Sequence, residues 1–148
     1  MLGLFMILAL VNGNFSDGLN HWQADAGWSA QRGAAVLHLD NRAGVGTLGA
    51  NLCSESVDVR NTDRVQGSAV IRQSAGGYLF VGLRWYDKHG TSMSTEMIAS
   101  GEGNEGKRLR LNFATRKPTK AASASFCFFG GAYAGSEFIA RADNAELK

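Results

Sequence analysis

Tyr78-Leu-Phe-Val-Gly-Leu-Arg-Trp-Tyr86 decides the reading of this chain. Leu79, Val81, Leu83 and Trp85 alternate with Tyr78, Phe80, Gly82, Arg84 and Tyr86. A period of two marks a β-strand, because successive side chains leave a strand on opposite faces. One face is aliphatic apart from Trp85 and belongs to a core. The other carries three aromatic rings and a guanidinium.

The same pattern repeats on both sides of this segment. Val65, Gly67, Ala69 and Ile71 alternate with Gln66, Ser68, Val70 and Arg72. Leu109, Leu111 and Phe113 alternate with Arg108, Arg110 and Asn112. Thr47 to Val59 alternates loosely, Val36 to Leu39 is a short strand, and Ala124–Phe129 and Phe138–Leu147 complete the set. Asn12-Gly13, Asp17-Gly18, Gly76-Gly77, Asp87 to Gly90, Gly101 to Gly106 and Gly130-Gly131 punctuate them as turns. No stretch of helical length shows a 3.6-residue period. Short strands separated by regular turns predict an all-β sandwich or barrel.

Composition narrows the class. A chain of 148 residues is the size of one domain and buries enough surface for its own core. Hydrophobic residues make up 45% and charged ones 19%, which excludes a disordered tail and a charge-laced coiled coil. There are 19 Gly against a single Pro, so glycine makes the turns. The net charge of +2 is too small for the basic stripe of a nucleic-acid protein. The two cysteines, Cys53 and Cys127, are too few for a zinc site or a disulfide framework. They are read as buried thiols, which could pair if they lie on neighbouring strands.

Residues 1–11 form an almost unbroken apolar run that includes Leu4, Phe5, Ile7 and Leu8. It is too short to span a membrane and lacks the basic start of a signal peptide. It is expected to be a buried first strand or an arm packed on a partner, ahead of one domain over 12–148.

Chemistry-bearing motifs are sparse. Gly101-Glu-Gly-Asn-Glu-Gly106 has the letters of a dinucleotide loop, but it runs into a strand and carries two carboxylates that repel phosphate. His21, His38 and His89 lack metal-ligand spacing. Asn14-Phe-Ser16 fits a glycosylation sequon by letters alone. An enzyme is not expected. Aromatic residues say more. Trp22 and Trp85 are core candidates. Tyr78, Phe80, Arg84 and Tyr86 share one face, and Gln66 and Arg72 are expected beside them on the neighbouring strand. Rings that stack on sugars beside polar groups that bind hydroxyls make a ligand platform. The alternative is a face covered by another sheet, another subunit or the apolar run.

Three segments resemble carbohydrate-binding modules of the family 4/9 type. Leu10-Val-Asn-Gly-Asn-Phe-Ser-Asp-Gly-Leu-Asn-His-Trp22 is similar to their opening L-x-N-G-x-F-E-x-G-L-x-x-W. Val81 to Gly90 resembles their central strand and turn, and Ala142 to Leu147 their closing strand. The resemblance implies a jelly-roll β-sandwich of two antiparallel sheets, with the opening Trp22 in the core. It also implies one structural calcium, with Asp143 at a ligand position. Ser16 stands where the family has an acidic residue, so Asp17 would have to substitute. Such modules bind glycans in a concave face, and tethered ones serve secreted glycoside hydrolases.

The expected function is a non-catalytic binding protein in a larger assembly, such as the capsid decoration or tail of a phage virion, perched on the virion surface. Leu4, Phe5, Ile7 and Leu8 would hold it as a homo-oligomer, with Tyr78, Phe80, Arg84 and Tyr86 contacting glycans. The alternative is an extracellular module associated with a secreted glycoside hydrolase. A third option is an oligomeric interaction domain without glycan binding.

Overall fold

The computed structural model describes residues 9–148. Leu4, Phe5, Ile7 and Leu8 lie outside the described residues. Of the apolar run, Leu10 packs partly on the core and Val11 is exposed.

Among the described residues eleven strands follow one another: β1 (Trp22–Ala24), β2 (Trp28–Gln31), β3 (Ala34–Asn41), β4 (Leu48–Ser54), β5 (Val57–Asp58), β6 (Arg64–Gln73), β7 (Gly77–Tyr86), β8 (Ser92–Ser100), β9 (Leu109–Arg116), β10 (Ser123–Ala132) and β11 (Ser136–Leu147). They form two antiparallel sheets. The first has the order β1-β4-β10-β7-β8, with β5 also pairing β10. The second has the order β2-β3-β11-β6-β9. From β6 on, the chain moves between the sheets, so strands adjacent in sequence are mostly not paired. This is the expected jelly-roll sandwich.

The core lies between the sheets and is rich in aromatic rings. Phe126 and Phe128 of β10 pack 5.2 Å apart between ring centres, with Trp22 5.9 Å and Trp28 6.1 Å from Phe128. Phe15 lies 4.9 Å from Trp22 and is buried, reached by a turn in which its own φ is 55°. Such ring pairs contribute about 0.5–1.5 kcal/mol each beyond burial. The indole N–H of Trp22 donates to the Asn12 carbonyl at 3.0 Å, and that of Trp28 to Ala50 at 3.2 Å. Trp22 and Trp85 are therefore core residues, as expected.

Several expectations change. The Thr47–Val59 segment is two strands, β4 and β5, both bordering β10. β1, β2 and β8 give no sequence signal: the first two are short, and β8 is exposed along most of its length. β6 is not a neighbour of β7. It lies in the opposite sheet, so Gln66 and Arg72 face away from Tyr78 and Tyr86. The neighbours of β7 are β10 and β8.

The reading of two buried thiols also gives way. Cys53 and Cys127 stand directly opposite in the β4–β10 ladder, 4.1 Å apart at Cα, and are joined as a disulfide across 74 positions. Closing a loop of that length removes unfolded-state entropy worth about 4 kcal/mol. Reduction under non-denaturing conditions is thus expected to lower unfolding free energy by about that amount, read as a lower urea midpoint. An unchanged midpoint would show that the cross-link constrains nothing.

Candidate functional site

The outward face of the first sheet is organised by register. Tyr78, Phe80, Arg84 and Tyr86 all point outward from β7 and are half-buried, while Leu79, Val81, Leu83 and Trp85 fill the core. Tyr78 stands opposite Gly131, Phe80 opposite Phe129, Gly82 opposite Cys127, Arg84 opposite Ser125 and Tyr86 opposite Ser123. On the other side β8 sets Ser100 beside Phe80, Met97 beside Gly82, Thr95 beside Arg84 and Ser92 beside Tyr86. The four predicted residues are thus brought to one face, but not to one point. Eight positions of strand separate Tyr78 from Tyr86, about 27 Å at 3.3–3.4 Å per residue.

The middle of this face is closed and apolar. The Cys53–Cys127 disulfide packs with Phe129 and Phe80, and all but Phe80 are buried. At one end Tyr78 lies across Gly131, where an added Cβ would run into its ring. Only glycine lets this ring lie flat on the strand. Tyr133, from the turn after β10, adds a third ring 6.0 Å from Tyr78, which is itself 5.9 Å from Phe80. The Tyr133 hydroxyl donates to Glu102 at 3.3 Å. The Gly101–Gly106 loop read as a strand connection thus brings a carboxylate to the aromatic end.

At the other end, a depression of about 430 Å³ is lined by residues that include His21, Glu55, Tyr86, Ser123 and Ser125. His21 Nδ1 is 3.1 Å from Glu55. Arg84 forms no ion pair among the described residues. This end offers a ring, a free guanidinium, hydroxyls and a carboxylate, a set suited to the C–H faces and hydroxyls of a sugar. Tyr133, Glu102, His21 and Glu55 were not assigned from sequence. Each reaches the face through a turn or an edge whose position depends on distant pairing.

Asp17 and Asp143 are the residues to which the resemblance assigned a calcium ion. Asp17 is exposed in a turn held by Asn12, whose carboxamide accepts from the Asp17 N–H at 2.9 Å and donates to the Gly18 and Asn20 carbonyls. Asp143 lines a depression with Arg72, Arg108 and Arg141, whose charges repel a divalent cation. Among the described residues no group of three His, Cys, Asp or Glu converges to hold a metal. The residues present do not fit the ion. His38, which lacked metal-ligand spacing, is exposed and lies 2.7 Å from the Glu137 carboxylate.

No family model and no curated protein matches the sequence. Solved structures do match the fold. A family 16 carbohydrate-binding module superposes with a TM-score of 0.64 at 16% identity, over 94% of this chain and 98% of the module. A family 4 module gives 0.62 at 11% identity, over 90% and 98%. The enzymatically active domain of bacteriophage CBA120 tailspike protein 4 gives 0.58 at 11%, over 95% of this chain and 21% of the tailspike. At these identities the likeness is one of fold. The chain has the fold of carbohydrate-binding modules.

The Tyr133 phenol is pushed above its ordinary value of 10, first by desolvation and then by the Glu102 carboxylate. Its ionisation is expected above the ordinary phenol value in an ultraviolet pH titration. Glu102→Gln should bring its midpoint down, and an unmoved midpoint would show that the contact does not form in solution.

Proposed function

We propose that this chain is a non-catalytic carbohydrate-binding module whose ligand lies along the outward face of β7. The observation that carries the reading is the split of one strand. Its apolar half fills the core, while Tyr78, Phe80, Arg84 and Tyr86 stand half-exposed on a floor of glycine, serine and a disulfide. Aromatic rings at both ends supply flat apolar surface, and Arg84, Glu55 and the serines supply hydroxyl partners. The likeness to two carbohydrate-binding modules over almost their whole length supports it. The disulfide supports an extracellular setting, since such bonds persist where the surroundings are oxidising. A module serving a secreted glycoside hydrolase fits these features.

Titration calorimetry against a soluble β-glucan, a xylan and a galactan tests the reading. Tyr78→Ala or Tyr86→Ala is expected to weaken binding at least tenfold, about 1.4 kcal/mol, at nearly unchanged Tm. A large fall in Tm would mark that ring as structural and remove it from the site. No binding to any of the three polymers rejects the platform.

A second reading places the same module in a phage virion, assembled through residues 1–11. The fold likeness to part of a tailspike favours it. Light scattering should then show a defined oligomer for the full chain and a monomer for a chain shortened to begin at Asn12. Monomers in both cases remove the assembly role.

A further inference from the structure

The outward face of the second sheet carries a row of arginines. Arg141 of β11 pairs in register with Arg72 of β6. Arg108 stands one residue before Leu109, which pairs Ile71, so it continues the row. Arg110 follows on the same face of β9, opposite Val70. Neighbouring strands lie about 4.8 Å apart, so the backbone positions of Arg141, Arg72 and Arg108 span about 10 Å.

Like charges directly opposite each other destabilise a sheet. Here they are not neutralised. Asp143, opposite Val70, is the carboxylate that shares their depression. Among the described residues no ion pair includes Arg72, Arg108, Arg110 or Arg141. Arg72 Nε instead donates to the Gly106 carbonyl at 2.9 Å, and Arg141 to the Arg32 carbonyl at 3.4 Å. Backbone oxygens hold these heads in place and leave their charge free. Two depressions, of about 420 and 270 Å³, share Arg72 and Arg141 as lining residues. The larger adds apolar Val36 and Ile139 with polar Gln31 and Ser74.

We propose that this arginine row is a second binding face, and that its ligand is an acidic polysaccharide. Guanidinium forks match carboxylate or sulfate groups in pairs. Val36 and Ile139 give apolar ground for sugar C–H groups, and Gln31 and Ser74 reach hydroxyls. No aromatic ring lines either depression, so the stacking that holds single-stranded nucleic acid is missing. The row lies on the opposite sheet from Tyr78 and Tyr86, so the two sites stand or fall separately.

The test is binding of the full chain to polygalacturonate and to dextran sulfate, with fully methyl-esterified polygalacturonate and a single-stranded DNA oligonucleotide as controls. At least one acidic polymer is expected to bind, more weakly as salt rises, and the esterified polymer not to bind. Arg72→Gln with Arg141→Gln should weaken binding at least tenfold, while Asp143→Asn should tighten it. Arg108→Gln, exposed just outside β9, is the second loss variant. Tyr78→Ala should leave this binding intact. Failure of both acidic polymers to bind, equal binding by the arginine variants, or equal or tighter binding of the oligonucleotide would overturn the proposal.

Discussion

The burial of β10 on both faces governs the rest of the molecule. An antiparallel strand in a sandwich ordinarily turns one face to the core and one to water. β10 does not. Phe126 and Phe128 point inward to the ring cluster, while Cys127 and Phe129 are buried on the outward side. Such a strand has to be central, and β4, β5 and β7 border it. Its outward apolar strip then becomes the floor of the open face. The rings of β7 rest against that floor and are held half-exposed.

What the sequence made legible follows from this arrangement. The two faces of β7 could be read because alternation is local, and it placed Trp85 in the core, while the core place of Trp22 was also what the resemblance implied. Pairing is not local. β6 and β7 follow each other across a short turn and alternate equally well, yet the sandwich sends them to opposite sheets. Gln66 and Arg72 consequently left the platform to which they had been assigned. Cys53 and Cys127 carry no local sign of being partners. The β4–β10 ladder makes them so. Tyr133 was visible as an aromatic residue, but only the return of the chain after β10 brings it to Tyr78. β8 escaped notice because an exposed edge strand has little apolar face to create a period. Serine at position 16 was legible, and the arginines around Asp143 were not, since three strands of the second sheet have to assemble first.

The two outward faces differ in chemistry as a result. The first sheet presents rings, serines and a disulfide. The second presents guanidiniums spaced by strand pairing. Sheets in a sandwich pack about 10 Å apart with the core between them, so no side chain of one outward face touches the other. The loop over 101–106 reaches both faces, with Glu102 at Tyr133 and the Gly106 carbonyl at Arg72, so substitutions away from that loop should act independently, as distant sites generally do.

The separation of Tyr78 and Tyr86 has its own consequence. Both rings are fixed to a single strand flanked by β10 and β8, so the interval between them cannot adjust to the ligand. Under the proposed function, a polymer that reaches both ends would engage as two linked contacts, the second forming at the effective concentration that the first creates. A short oligosaccharide would touch one end and leave quickly. The strand would then act as a ruler, turning the length of a chain into the time it stays bound.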